Sequence, residues 1–442
     1  MNLRAVVVSL RTKLAGPDST FLTVVASWGA RLIAVCSQLV TIPILARSLG
    51  NESYSLYVVL INLVAWYALA DLGSGYSLQN GISRSRANST PYADDIVSTV
   101  RNISLLLPVL LVVVAMLAPA ITHLIWNPPP QQPVSVSHLV AVAGVIFSIT
   151  ALGNIGYRVL YADQQGWLAN ILQGLASFLS LALVTAGTTL DLIDTDKLLL
   201  AALMANSIPQ ASVALTALVI VLRRAIRAGG RLQDGFFIQN IRTSVGFLSF
   251  GILSLLTLQV DYFVLTRTVE PAQIVQYNVI SKTLGISLVL FQAVLQAHWP
   301  HAAEAASQGD WQSVNARLSK LLRQGASLVL ICAFGYAILE RPLMRIISPQ
   351  TPAALGPVAV SLYALYLLMR IWSDTHAMVL QSIGRMRIFL VYVPVQAALS
   401  LGLQVAGARA WGVSGLIAGL TLSFVLSSAW VLPVYLRHLQ RT

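Results

Sequence analysis

Apolar runs long enough to cross a lipid bilayer recur along the whole 442-residue chain, and they constrain its fold more than any other feature. The run SLLLPVLLVVVAMLAPAI, at 104–121, contains no charge and no alternation of polar and apolar residues. A transmembrane helix needs about 20 such residues, whereas the strands of a membrane barrel alternate. Only 10% of the residues are charged, against about 25% in soluble domains. The sequence therefore predicts an all-α polytopic membrane protein.

Twelve predicted helices form two bundles of six, which we interpret as two domains. The spans are 22–44, 54–78, 100–125, 136–160, 168–190, 196–222, 243–266, 272–297, 321–340, 354–381, 388–407 and 411–436. The domain prediction comprises an N-terminal bundle at 1–222 with a cytoplasmic amphipathic segment at 1–20, a basic cytoplasmic linker at 223–242, and a C-terminal bundle at 243–442. A tight turn is expected over 47–53, and a rigid proline-rich loop over 127–133.

The lysines and arginines indicate the orientation in the membrane. Nineteen of the 28 fall on the side that carries both predicted termini, six fall on the opposite side, and three lie within spans. Because short cytoplasmic loops are enriched in basic residues, this asymmetry places both termini in the cytoplasm. The net charge of +12 then reflects topology, and no nucleic-acid partner is expected.

An internal repeat is expected from a comparison of the two halves. A shift of 220 residues brings Arg47 onto Arg267 and Tyr57 onto Tyr277. Further along, VLYADQQG at 159–166 resembles VLQSIGR at 379–385. Because six spans separate the copies, both have the same orientation, so the repeat is parallel and its axis runs along the membrane normal.

Six ionisable residues within predicted spans are the main candidates for a functional site. Each costs about 2.5–3.5 kcal/mol on insertion scales, so each calls for a functional or structural explanation. The candidate cavity cations that would bind substrate are Arg31, Lys282 and Arg370, and the candidate ion-coupling carboxylates are Asp71, Asp261 and Asp374.

Structural alternatives exist for the carboxylates. Arg370 and Asp374 are four residues apart, so they could neutralise each other on one helix face. Asp261 could extend to the interface or pair with Arg267, and Asp71 could be either a proton site or the counter-charge of a cytoplasmic arginine. Arg31 and Lys282 have no partner nearby in sequence, and we expect them to face a polar cavity between the bundles.

Neutral amides within the spans extend the predicted site. The cavity candidates are Gln38, Asn62, Asn278 and Gln292. Such amides often hold neighbouring helices together. A cavity lined by amides and cations also suits a sugar-phosphate head group, since cations compensate phosphate and amides bond hydroxyls. No metal and no cofactor is predicted: His298, His301 and Glu304 have no further ligand nearby, and no phosphate-binding loop is present.

Three stretches carry a family resemblance: ARSLGNESYSLY (46–57), WYALADLGSG (66–75) and WPHAAEAASQGDW (299–311). They resemble the polysaccharide and O-antigen flippases of the multidrug/oligosaccharidyl-lipid/polysaccharide exporter superfamily. One departure is Ser55, where relatives usually have glycine. The resemblance implies a flippase that moves undecaprenyl-diphosphate-linked oligosaccharides across the bacterial inner membrane by alternating access, for O-antigen, capsule or exopolysaccharide synthesis. It further implies membrane lipids, a polysaccharide polymerase and a chain-length regulator as partners.

Two other functions fit the sequence. A cation-coupled multidrug and toxin extrusion antiporter would place a carboxylate in the cavity, for which Asp71 is available, although the three intramembrane cations argue against it. A non-transporting scaffold of a polysaccharide assembly complex would leave the six intramembrane charges without a purpose. None of the three functions is enzymatic.

Overall fold

A computed structural model describes residues 17–87, 89–125, 135–189, 197–233, 236–307, 309–347, 355–383, 385 and 387–441. Over these residues the regular elements are all helical, so the all-α prediction is confirmed. A 3-10 helix spans Ala68–Asp71, and the α-helices are α1 (Pro17–Tyr67), α2 (Ser74–Ala87), α3 (Ala93–Ile125), α4 (Val136–Ala162), α5 (Gly166–Thr189), α6 (Leu198–Arg227), α7 (Phe236–Leu258), α8 (Asp261–Thr268), α9 (Pro271–Ser307), α10 (Trp311–Ile347), α11 (Pro357–Ser382), α12 (Arg387–Leu426) and α13 (Ser428–Arg441). Most of the predicted segment 1–20 and the proline-rich loop 127–133 lie outside the described residues.

Within the described ranges, eight helices are long and apolar enough to cross a membrane. A ninth is added if α7 and α8, which are bent by 41° at Gln259–Val260, form one broken span. Two of the eight candidates, Ala26–Asp71 and Arg387–Gln440, are far longer than a bilayer requires. The count of twelve stays a prediction.

Glycines with left-handed backbone interrupt the two longest helices. Gly50 has a φ of 72°, and α1 is helical on both sides of it, so one residue makes the break that the sequence predicted as a turn over 47–53. Gly412 has a φ of 57° and follows Trp411, which is also non-helical. A Cβ on Gly407 would lie 2.1 Å from the carbonyl oxygen of Gly415, so the two limbs of α12 pack backbone to backbone.

Small residues also set the packing of α4 against α6. A Cβ on Gly153 would lie 2.6 Å from the carbonyl carbon of Ala214, and one on Gly156 would lie 2.4 Å from the amide nitrogen of Leu218. In lipid, no hydrophobic force drives helices together, and the close approach that small residues permit supplies the packing. The interior of this helix pair includes Ile155, Leu160 and Ala217.

The chain forms two compact units. One contains α1 up to Thr41, Leu60–His123, and the described residues from α4 to Ile252; the other contains Ile42–Val59, the end of α3 from Leu124, and the described residues from Leu253 onward. The middle of α1 thus belongs to the same unit as the C-terminal half, and the division into two bundles at 223–242 stays a prediction. The predicted linker 223–242 is helical at both ends, where α6 finishes and α7 begins.

Two turns recur at the offset of the predicted repeat. Backbone bonds join Thr90 to Ser85 and Ser89 to Arg86, and the same bonds join Asp310 to Ala305 and Gly309 to Ala306. The end of α4 matches the end of α11 in the same way: Asp163 and Gln165 bond back to Val159 and Leu160, while Ile383 and Arg385 bond back to Val379 and Leu380. Each pair is 220 residues apart. These turns support the repeat, which otherwise remains a prediction.

Candidate functional site

Asp71 lies at a break between two helices. The 3-10 helix that follows α1 ends at Asp71, and Leu72 and Gly73 then adopt left-handed backbone with φ of 51° and 75° before α2 begins. The carboxylate is buried, with 3% of the residue exposed, and its Oδ1 accepts a bond of 2.9 Å from the Gly73 amide. Asp71 therefore caps the start of α2 and stabilises the break.

Arg158 of α4 is the ionic partner of Asp71. Its Nε lies 3.6 Å from Asp71 Oδ2, and its guanidinium carbon lies 3.3 Å from the centre of the Tyr76 ring. A Cβ on Gly75 would lie 2.6 Å from both the Arg158 Cδ and the Asp71 Oδ2, so a larger residue at this position would displace the ion pair. Arg158 is one of the nineteen basic residues that the sequence assigns to the cytoplasmic side. Between the two alternatives for Asp71, this geometry favours the counter-charge.

Arg31 of α1 lies among polar side chains of α4 and α5. It is half-buried and close enough to Tyr161 for an electrostatic interaction. The Tyr161 hydroxyl donates to Asn170 Oδ1 at 2.8 Å and accepts from Gln173 Nε2 at 3.5 Å. The cation therefore lies near a hydroxyl that is itself bonded to two amides. Of the candidate amides in the same unit, Gln38 is exposed and Asn62 is half-buried.

Asp261 is the first residue of α8, just beyond the bend that separates it from α7. The residue is buried, with 9% exposed, so it does not extend to the interface as one alternative proposed. Its Oδ1 accepts from the backbone amide of Tyr262 at 3.0 Å, and its Oδ2 accepts from the Tyr277 hydroxyl at 2.5 Å. Lys282, which is half-buried, is the cation within electrostatic range of this carboxylate.

Asn278 lies next to this pair and joins three helices. Its Oδ1 accepts from the Tyr262 hydroxyl at 3.0 Å, and its Nδ2 donates to the Tyr54 hydroxyl at 3.1 Å. The residue is 3% exposed. Because both ends of the amide are bonded to tyrosines of α1 and α8, the geometry favours the alternative in which this amide holds helices together. Gln292, the remaining candidate amide of this unit, is half-buried.

Arg370 and Asp374 form an ion pair on α11. The Arg370 Nε lies 3.0 Å and 3.1 Å from the two Asp374 oxygens, as the four-residue spacing allows. The Arg370 guanidinium carbon is also 5.8 Å from the centre of the Phe424 ring. The charge of Arg370 is therefore compensated by Asp374, and its guanidinium group lies near an aromatic ring.

A chain of aromatic rings connects the Asp261 region to this ion pair. Ring centres are 6.2 Å apart between Tyr277 and Tyr363, 5.4 Å between Tyr363 and Tyr366, and 5.7 Å between Tyr366 and Phe424. One unit thus brings Asp261, Asn278, Lys282, Arg370 and Asp374 into one polar and aromatic network. Sequence reasoning missed the tyrosines of this network. Their position inside predicted spans, rather than at the interfaces where tyrosine concentrates, could have indicated them.

Comparison with known proteins identifies relatives along nearly the full length. Residues 21–305 match the family described as polysaccharide biosynthesis protein. A relative from Yersinia pseudotuberculosis that is named for O-antigen export is 32% identical over 95% of this chain and 96% of its own. A relative from Salmonella typhi that is named for O-antigen transport is 30% identical over 93% of this chain and 94% of its own.

Solved structures share the fold at low sequence identity. The lipid II flippase MurJ in an inward closed conformation aligns with a TM-score of 0.72 and 11% identity, over 94% of this chain and 87% of its own. An inward-facing multidrug resistance MATE family transporter of the MOP superfamily aligns with a TM-score of 0.72 and 12% identity, over 95% and 99%. These similarities confirm the fold of a multi-pass membrane protein. On the sequence matches, the chain belongs to the polysaccharide biosynthesis protein family.

Proposed function

We propose that the protein is a flippase that translocates polyprenyl-diphosphate-linked oligosaccharide repeat units across the bacterial inner membrane by alternating access. The observation that carries the proposal is the set of charged residues inside the membrane-spanning helices of a chain whose relatives are named for O-antigen export. Intramembrane charges commonly mark substrate or ion pathways. The protein would move its substrate without changing a covalent bond, for O-antigen, capsule or exopolysaccharide synthesis.

Arg31 and Lys282 are the cations that we assign to the substrate diphosphate or to acidic sugars. Each is half-buried; Arg31 lies near the Tyr161 hydroxyl, and Lys282 lies near the Asp261 carboxylate. Arg370 differs, because Asp374 already neutralises it at 3.0 Å. We therefore assign Arg370 a positioning role in α11 and rank it below the other two for contact with substrate.

Asp261 is our choice among the three carboxylates for ion coupling. Asp71 and Asp374 each have an arginine within 3.6 Å or less, so each already has an ionic partner. Asp261 instead shares its oxygens with a tyrosine hydroxyl and a backbone amide, with Lys282 nearby. A diphosphate bound to Lys282 would compensate the positive charge near Asp261 and so favour protonation of this carboxylate.

The orientation in the membrane and the protein partners follow from the same proposal. The asymmetry of the basic residues supports a cytoplasmic location for both termini, and the substrate would enter from that side. A polysaccharide polymerase and a chain-length regulator are the expected protein partners. The antiporter alternative has a fold similarity at 12% identity and the carboxylate of Asp71 in its favour, but Asp71 is paired with Arg158, and the half-buried Arg31, Lys282 and Arg370 do not suit an organic cation.

Surface polysaccharide in cells tests the assignment. The double variant Arg31→Gln, Lys282→Gln should lose export by about tenfold or more, since a hydrogen bond to a charged group contributes about 1.5–3 kcal/mol. The matched control is Arg341→Gln, Arg345→Gln, which removes two exposed arginines from α10. Normal export from the first variant, at wild-type protein abundance, would exclude Arg31 and Lys282 as substrate contacts.

A further inference from the structure

Four arginines lie on the surface where α6 ends: Arg223, Arg224, Arg227 and Arg231. We call them the α6 basic patch. Two apolar residues are interleaved with them, and both are exposed: Ile226 at 56% and Leu232 at 50%. This mixture of cations and apolar side chains is typical of segments that contact a membrane surface.

The backbone of this patch is held in place rather than free in solvent. Gly229 has a φ of 85°, which ends α6, and Gly230 approaches α3 so closely that a Cβ would lie 2.9 Å from the Ala93 oxygen. The Arg231 amide then donates to Asp94 Oδ1 at 2.7 Å. The chain after α6 is thereby folded onto the first turn of α3, and the arginines have a defined arrangement.

Two carboxylates near the patch already have hydrogen-bond or ionic partners. Asp94 accepts from the backbone beyond α6, and Asp163 pairs with Arg86 at 3.6 Å and accepts from the Tyr92 hydroxyl at 2.5 Å. Burial and the Asp163 carboxylate raise the pKa of Tyr92 to about 12, so this hydroxyl stays protonated and keeps donating. The ion pairs among the described residues involve other arginines, and the four arginines of the patch outnumber the nearby Asp94 and Asp95, so the patch has a net positive charge.

We propose that the α6 basic patch binds the headgroups of anionic phospholipids in the cytoplasmic leaflet, with Ile226 and Leu232 at the acyl boundary. Clusters of arginine directly beyond a transmembrane helix attract anionic lipid. The patch is exposed and extends from the last turn of α6 into the segment beyond it, which suits many laterally mobile headgroups better than one enclosed ligand. The proposal uses the orientation given by the basic residues, and it holds whether or not the protein moves an oligosaccharide.

Native mass spectrometry of the delipidated full chain, titrated with phosphatidylglycerol or phosphatidylcholine, tests this proposal. Arg223→Gln, Arg227→Gln should weaken the binding of the first phosphatidylglycerol by roughly 10- to 25-fold, since each arginine contributes about fivefold. Arg341→Gln, Arg345→Gln is the matched control: it removes two exposed arginines with the same spacing at the end of α10, on the predicted opposite side.

The expected pattern is a preference for phosphatidylglycerol that weakens with ionic strength, is lost in the first variant and survives in the control. If the glutamine variant fails to fold, Arg223→Lys, Arg227→Lys should retain the preference. Equal binding of the two lipids by the wild-type chain would overturn the proposal. An equal loss in the control would also overturn it, because net charge alone would then explain the binding.

Discussion

Neutralising Asp71 separates the two roles that remain for this carboxylate. Asp71→Asn removes the charge but keeps an oxygen that can accept from the Gly73 amide, so the cap of α2 is retained. Arg158→Gln removes the opposite charge. The double variant Asp71→Asn, Arg158→Gln removes both charges and leaves two polar groups of similar size in the same place.

The magnitude follows from the geometry of the pair. At 3.6 Å and an effective dielectric constant of about 20, the two charges attract each other by about 5 kcal/mol. The side chains are 18% and 4% exposed, so little solvent screens them. Removing one partner should therefore destabilise the protein by about 3–5 kcal/mol, because the other charge stays buried. The double variant should recover about 2–3 kcal/mol of the summed loss.

Two readouts decide between the roles. Chemical unfolding in mixed micelles measures the coupling energy, and surface polysaccharide in cells measures export. If Asp71 is a counter-charge, Asp71→Asn lowers both stability and export, and the double variant restores much of each. If Asp71→Asn and the double variant are both stable and equally inactive, the counter-charge account is wrong and Asp71 carries the proton.

Substitutions of two other side chains, Tyr277 and Asp310, test single hydrogen bonds. Tyr277→Phe deprives a buried Asp261 oxygen of its donor and should lower the free energy of unfolding in micelles by about 1–3 kcal/mol; no change would mean that the hydroxyl does not support the carboxylate. Asp310→Ala should speed amide exchange in the first turn of α10, because Asp310 Oδ1 accepts from the Ser313 amide; unchanged exchange would exclude the cap. Hydrogen bonds from the Ser313 hydroxyl and amide lower the pKa of Asp310. The stabilisation by this cap is therefore complete above the ordinary pKa of about 3.9 and is lost as the pH falls through the lower pKa of the folded state. The exchange rates of wild type and variant should converge over that range.

Local features of the site could be predicted from the sequence, whereas its long-range partners could not. The Arg370–Asp374 pair depends only on helix geometry, and the structure has it. Arg158 approaches Asp71 because α4 passes the break before α2, and Asn278 reaches Tyr54 because the middle of α1 belongs with the C-terminal unit. Hydropathy contains no information about which helices are neighbours.

The positions of the helix breaks also could not be predicted from the sequence. Composition predicts apolar helices correctly, but a break at Gly50 or Gly412 depends on one residue in left-handed backbone, which an apolar window averages away. Helices continue into the turn expected over 47–53 and into the predicted linker 223–242. The segments without helical structure are therefore shorter than the hydropathy suggests. Polar residues at a helix end predict exposure, and they do not by themselves predict where the helix stops.

Transport by the purified chain tests the central claim most directly. The protein would be reconstituted in liposomes with a fluorescently labelled polyprenyl-diphosphate-linked oligosaccharide, and an impermeant quencher would report the label remaining outside. We predict that the wild-type protein moves the label across the bilayer much faster than protein-free liposomes, and that Arg31→Gln, Lys282→Gln reduces this rate by about tenfold or more. Folded wild-type protein that moves the label no faster than empty liposomes would contradict the account.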